Sequence, residues 1–297
     1  MSEFAAGPAG RIERVRALMA ERGYDAIVVR DEANLRWLTG VKGVFDYTFE
    51  FPHAAFITAD QCLFHTDSRY LNSFEENTPA GSPWVYDMDE GTIPGWVAGK
   101  IAVNKCRVCA VEDDMQINFY QGIQRGLEDR SVACMLPLMH DDIRKMRAIK
   151  DAEEIELMRH AQSITDAAFQ HMLGFIKPGM TEKQVRNELE NFMFANGADS
   201  LAFGSIVASG PNTANPHAVP SDRVIEKGDF VLMDYGAGYC DYRSDMTRTV
   251  VMGEPTQEQL DAAAASYSGS SYGDNFVHQT ALQTAVMEWL KTNAVIS

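Results

Sequence analysis

Two aspartates in one glycine-punctuated stretch carry the clearest chemical signal in this chain of 297 residues. The segment Phe230-Val-Leu-Met-Asp234-Tyr-Gly-Ala-Gly-Tyr-Cys-Asp-Tyr-Arg-Ser-Asp245-Met-Thr-Arg-Thr-Val sets β-prone runs on either side of Gly236-Ala-Gly238, the pattern of a hairpin. Folding it about Tyr239 and Cys240 puts Asp234 opposite Asp245, and directly opposed residues have Cβ atoms about 4.5–5.5 Å apart. Two like charges at that distance repel unless a cation neutralises them, so a divalent metal is the chemistry the pair implies. Carboxylates so placed also bridge paired metals about 3.5–4 Å apart, which clamp a water nucleophile and a substrate oxygen. The competing reading is structural: Asp234 caps a turn, and Asp245 pairs with Arg243 or Arg248 on the strand surface.

His217 is the third candidate. It lies in Ser209-Gly-Pro-Asn-Thr-Ala-Asn-Pro-His-Ala-Val-Pro220, too rich in Pro, Asn and Gly for helix or strand. A loop imidazole beside two prolines has little reason to be a core residue, although lone histidines are more often structural or exposed unless other chemistry converges on them. Cys106-Arg-Val-Cys109 has the spacing of half a zinc site, but without a second cysteine pair or a nearby histidine it reads as an ordinary strand.

These residues need elements to position them. Apolar spacing predicts a helix over 11–23, a strand over 26–29, a short helix over 34–40 and a hairpin of 54–58 with 62–65. Helix and strand alternate again around 68–75, 107–111 and 115–127, which makes the first half α/β. From 136 to 150 the chain turns polar, and the expected boundary falls near 142, giving domains 1–142 and 143–297. A helix then opens at Asp151 with Ile155, Met158, Gln162, Thr165, Phe169 and Met172 on its stripe. Thr181 and Gln184 form a capping box for a helix over 182–196. Short β-like runs at 203–208, 230–234 and 239–252 make the second half α+β, and residues 261–273 read as a spacer.

Acidic residues outnumber basic ones 42 to 26, for a net charge of −16, so nucleic acid is not an expected partner. Five cysteines are an odd, sparse set that suits a reducing compartment, and the expected location is cytoplasmic. The N-terminal residues carry no apolar export segment, and no run reaches the roughly 18 apolar residues of a spanning helix, so no membrane association is expected.

In order and spacing, Ser209-Gly-Pro-Asn…Pro216-His217, Lys227-Gly-Asp229…Asp234-Tyr-Gly-Ala and Ser244-Asp-Met-Thr-Arg-Thr249 resemble the pita-bread metallopeptidases of the aminopeptidase P and prolidase group. Arg147-Ala-Ile-Lys150…Glu153-Glu-Ile and Lys177-Pro-Gly-Met-Thr-Glu182 look like the helical entry to the same domain, and Thr66-Asp-Ser-Arg-Tyr70 resembles the creatinase-type N-terminal domain. The resemblance implies an α/β N-terminal creatinase-like domain followed by an α+β pita-bread domain. It implies manganese, cobalt or zinc held by Asp, Asp, His, Glu and Glu, the first two mapping to Asp234 and Asp245. His217 would contact substrate and donate to developing oxyanion charge.

The pattern departs from the family further on. Tyr272-Gly-Asp-Asn-Phe-Val-His278 resembles the approach to the Gly-His-Gly motif, but Leu282 stands where its histidine belongs, and no Glu-Pro-Gly segment follows. The pita-bread domain is therefore expected to be incomplete. The resemblance implies a metal-dependent Xaa-Pro aminopeptidase acting on peptides with proline second, expected inactive as this chain. The alternative is a non-catalytic binding or association module derived from that fold; creatinase-like hydrolysis or lyase chemistry also occurs on it. An unpaired sheet edge and an uncovered apolar face would favour homo-oligomers, and a helix over 279–295 would cover part of that face.

Overall fold

A computed structural model describes residues 7–45, 51–88 and 91–261. The expected helix over 279–295, Leu282 and nearly all of the expected spacer lie outside the described residues. The chain divides into two compact units, Met1–Glu153 and Glu154–Ser297.

The first unit runs α1 (Gly7–Arg22), β1 (Ala26–Val29), α2 (Glu32–Thr39), β2 (Ala54–Thr58), β3 (Cys62–His65), α3 (Leu71–Asn77), β4 (Val85–Asp87), α4 (Ile93–Val103), β5 (Cys109–Val111), α5 (Ile117–Asp129) and α6 (Asp142–Ala148). Its sheet has the order β4-β3-β2-β1-β5. β1 is buried at every position because both faces of the sheet are covered. Ile27, Val29, Ala55, Ile57 and Phe64 pack with α1, α2, α3 and α6 on one face. Ala26, Val28, Ala54 and Phe56 pack with Trp96, Val97 and Ile101 of α4 and Phe119, Ile123 and Leu127 of α5 on the other. The result is an α/β/α layering, with the expected hairpin of β2 and β3 in register from Ala54↔His65 to Ile57↔Cys62.

Three elements of this unit escape the sequence pattern, the short strand β4 and the helices α4 and α6. α4 carries a proline and two glycines, which mask its helical stripe, yet Thr92 caps it by accepting from the Gly95 N–H at 3.2 Å. α6 lies inside the polar stretch where a boundary near 142 was expected. Ile143 and the preceding Met139 are each 2% exposed in the core, so this stretch is packed rather than a linker, and the division between units comes after it.

The second unit is opened by α7 (Ala152–Phe175) and α8 (Glu182–Ala195), followed by β6 (Ser200–Leu201), β7 (Ile206–Ser209), a 3₁₀ turn (Gly210–Ala214), β8 (Phe230–Tyr235), β9 (Ala237–Tyr239), β10 (Tyr242–Arg243) and β11 (Met246–Val251). The capping box of α8 forms as expected, with the Gln184 N–H bound to Thr181 Oγ1 at 3.2 Å and the Thr181 N–H to Gln184 Oε1 at 2.8 Å. On α7 the buried stripe is Ala161, Ile164, Thr165, Ala168, Phe169 and Met172, whereas Ile155 and Met158 are exposed. Apolar spacing alone cannot say where along a helix the covering sheet begins. The β-like run expected over 239–252 is three strands in two sheets, ordered β10-β9-β6 and β11-β8-β7. No helix among the described residues is long and apolar enough to cross a membrane.

Glu112, just past β5, is 5% exposed. Its Oε2 accepts from the Arg30 N–H at 2.6 Å and the Asp31 N–H at 2.7 Å, and its Oε1 from the Asn34 amide at 2.7 Å. Burial outweighs these donors and pushes the carboxyl up to about 7, from an ordinary 4.5. Between those values the folded chain keeps a proton that the unfolded chain has released. This contribution to stability is therefore present below pH 4.5 and lost as pH rises through about 7. We expect urea unfolding to show the wild type losing up to about 3 kcal/mol relative to Glu112→Gln between about pH 5 and about pH 8. A parallel pH dependence of the two proteins would show that Glu112 does not carry this proton.

Candidate active site

Asp234 sits near the end of β8, the central strand of its sheet. β8 alternates between buried and half-buried positions. Val231, Met233 and Tyr235 face the core with α7 and α8, so Phe230, Leu232 and Asp234 occupy the opposite face. Asp234 is paired in register with Thr247 of β11 and with Ile206 of β7, and the Thr247 hydroxyl donates to its Oδ1 at 2.8 Å. It therefore lies within the ladder and does not cap a turn.

The register corrects the expected direct opposition of the two aspartates. β9 and β10 pair as Tyr242↔Tyr239 and Arg243↔Gly238, so the two-residue loop is Cys240-Asp241, with φ of 47° and 70°. Positive φ at both positions is the type I′ geometry, whose twist matches that of the flanking strands. The turn thus falls one residue later than Tyr239-Cys240, and Asp245 becomes a diagonal rather than a direct neighbour of Asp234; in a regular ladder such Cα atoms lie about 7–8 Å apart. Asp245 is exposed just before β11. It has no ion-pair partner among the described residues, so neither Arg243 nor Arg248 neutralises it there.

Gly236-Ala-Gly238 is not the turn. It is a crossing, where a Cβ on Gly236 would overlap the Ser244 carbonyl oxygen. Thr165 of α7 fastens this crossing from the core side. Its hydroxyl meets Ser244 Oγ at 2.6 Å, and both oxygens take the Ala237 N–H, at 3.1 and 2.9 Å.

His217 is exposed in the loop between the 3₁₀ turn and β8, and its N–H donates to Asn215 Oδ1 at 3.1 Å. Among the described residues the side chains of His217, Asp234 and Asp245 make no hydrogen bond to one another.

The residue to which the sequence reading gave no role is Glu182, quoted only in the helical-entry segment and as the first residue of α8. It is 1% exposed. Its Oε1 accepts from the Ser209 N–H (2.7 Å), Ser209 Oγ (2.9 Å) and Asn212 Nδ2 (3.0 Å), and its Oε2 from the Ser221 N–H (2.9 Å) and Ser221 Oγ (2.6 Å). Burial pushes its carboxyl up, but these donors outweigh burial and hold it below the usual carboxylate range. A sequence signal was present in Ser209 and Asn212, which belong to the motif carrying the family resemblance.

Two family models divide the chain as the two units do: the Creatinase/Prolidase N-terminal domain matches residues 11–149, and Metallopeptidase family M24 matches residues 156–272. The uncharacterized peptidase YqhT of Bacillus subtilis is 32% identical over 270 residues, covering 89% of this chain and 71% of that protein. This chain belongs to metallopeptidase family M24. Among solved structures, the M24 chain is similar to a Xaa-Pro dipeptidase from Bacillus anthracis, with a TM-score of 0.75 and 34% identity over 86% of this chain and 68% of that one. It is also similar to an X-Pro aminopeptidase from Thermotoga maritima, with a TM-score of 0.71 and 30% identity over 83% of this chain and 66% of that one. The creatinase-like α/β unit and the M24 α+β unit are thus the expected architecture.

The family is one of metal enzymes, and the donors can be tested against that. Asp234 of β8 and the exposed Asp245 just before β11 are oxygen donors, but no group of three or more His, Cys, Asp or Glu side chains able to hold a metal occurs among the described residues. Asp234 and Asp245 can therefore supply part of a divalent ion's coordination, and the described residues of this M24 chain do not complete it. Replacing Thr165 with Val should cost about 1–3 kcal/mol in urea unfolding, because a buried N–H and hydroxyl lose a partner. The double change with Ser244→Ala should cost less than the two single changes summed, since the Thr165–Ser244 hydrogen bond is lost in either single change and is lost only once in the double. Strict additivity would show that the two hydroxyls do not act on one junction.

Proposed function

We propose that this M24 chain recognises peptides with proline in the second position and that its described residues do not complete a hydrolytic centre on their own. The observation that supports the substrate class is the similarity along 86% of the chain to the Bacillus anthracis Xaa-Pro dipeptidase. In this reading His217 is the substrate-facing donor, exposed on a loop and able to donate to negative charge developing on the carbonyl oxygen of the scissile bond. Asp234 and Asp245 are the metal-directed carboxylates. With oxygen donors alone they suit a hard ion such as manganese better than zinc or cobalt, which gain more from imidazole.

Relatives named for dipeptidase and for aminopeptidase activity both match, so the length of peptide accepted is open to assay. A second reading, a non-catalytic binding or association module, is favoured by the donor count among the described residues, where Asp234 and Asp245 leave most of a cation's coordination sphere unfilled.

The purified chain is expected to bind manganese weakly and to show no turnover of Gly-Pro or of an Arg-Pro reporter peptide with manganese or cobalt added. Asp234→Ala should abolish the manganese binding while changing stability by no more than about 0.5 kcal/mol. Robust turnover that Asp234→Ala removes would overturn the incomplete-centre reading. Turnover of Gly-Pro but not of the longer reporter would assign dipeptidase activity.

A further inference from the structure

The stretch from Ser209 to Ser221 leaves the sheet after β7, carries His217 at an exposed position, and returns beside the start of α8. Both ends of this excursion meet one side chain. Glu182 Oε1 takes the three donors of Ser209 and Asn212 on the outgoing side, and Oε2 takes the two donors of Ser221 on the returning side. We propose that Glu182 is a positioning residue, a carboxylate that closes the neck of the His217 loop and so fixes where the imidazole is presented to substrate. The proposal rests on the reading of His217 as the substrate-facing donor.

Three features make this a built clamp rather than a chance contact. First, the donors converge on a carboxylate sealed from water, where hydrogen bonds to a charge are strong and an unmatched oxygen is costly. Secondly, the donor hydroxyls are themselves held. Arg223 Nη1 donates to Ser209 Oγ at 2.7 Å, and the Arg223 N–H donates to Ser221 Oγ at 3.1 Å. The same guanidinium grips Asp229 through two bonds of 2.6 and 3.1 Å, a bidentate pair that fixes its direction. Thirdly, Gly210, at φ +50°, passes so close that a Cβ there would fall on Arg223 and Asp229. The motif residues Ser209, Gly210, Asn212 and Asp229 thus form one connected network around Glu182 and Arg223, and His217 is the side chain that this network leaves outside.

A carboxylate in this position is not replaced by its amide. The side chain introduced by Glu182→Gln would present one acceptor and one donor, and its NH₂ would face either the Ser221 N–H or the Ser209 N–H, donor against donor. The helix start itself is capped separately by Thr181 and Gln184, so α8 does not depend on Glu182 for its N-terminus.

The test is hydrogen–deuterium exchange and histidine NMR on the full chain. In Glu182→Gln, amides within residues 209–221 should exchange at least about tenfold faster, the equivalent of about 1.4 kcal/mol in local opening. Amides of α8 and β8 should keep their protection. The His217 ring signal should move, while those of His160, packed on Tyr239, and His171, stacked on Phe192, stay in place. Should Glu182→Gln not fold, Ser221→Ala, which removes one donor from the neck and leaves the carboxylate, should give a smaller change of the same kind. His217→Ala should leave the exchange of the loop unaltered. An unchanged loop and His217 signal in the folded variant would overturn the proposal, as would loss of protection spread evenly over the second unit. Adding Gly-Pro to the wild type separates this from the functional reading: if the His217 signal ignores the dipeptide while the clamp behaves as expected, the substrate role fails and the positioning stands.

Discussion

Sealing a carboxylate from water leaves it with up to four lone-pair directions to satisfy, and at Glu182 the chain meets that demand with five donors drawn from two ends of one loop. Because those donors are 27 to 39 residues away in sequence, the charge acts as a tie between α8, the end of β7 and the approach to β8. Removing it would strand donors as well as a charge, which is why a single side chain can govern a long irregular segment that has few backbone ladder bonds of its own. The presentation of His217 follows from this constraint.

The same chemical group behaves in the opposite way in the first unit. Glu112 is also buried, but three donors reach it, and burial prevails, so its carboxyl is raised to about 7 while that of Glu182 is lowered. The contrast follows from competition between desolvation, which disfavours charge, and hydrogen bonding to the charged form, which favours it. One carboxylate remains a fixed charge at neutral pH; the other titrates there.

On the candidate-site side, the geometry follows from a crossing of two short sheets. Thr165 and Ser244 pin the backbone where β8 hands over to β9, and the absence of a side chain at Gly236 lets the Ser244 carbonyl approach. That junction sets the register of β11 on β8. It places Asp234 beside Thr247 on the face turned away from α7 and α8, with Asp245 diagonal to it. The aspartates therefore share a sheet region for a packing reason that has nothing to do with their charge.

Much of this was legible in the residues alone. The β2–β3 hairpin, the capping box of α8 and the span of β8 depend on interactions within a few residues, and the motif spacing around His217, Asp234 and Asp245 identified the family without any fold. Tertiary structure decided the rest. Gly236-Ala-Gly238 between two β-prone runs suggested a hairpin folded about Tyr239-Cys240, because glycine is a strong local turn signal, yet those glycines serve a close backbone crossing, and the turn falls on Cys240-Asp241, whose positive φ values no local pattern announced. α6 was hidden by its charges because the burial of this stretch rests on two apolar side chains reaching the core, Met139 just before the helix and Ile143 within it. Glu182 and Glu112 were ordinary acids in sequence; only folding brought distant N–H and O–H groups to them, since burial and charge satisfaction are set by contacts that span dozens of residues.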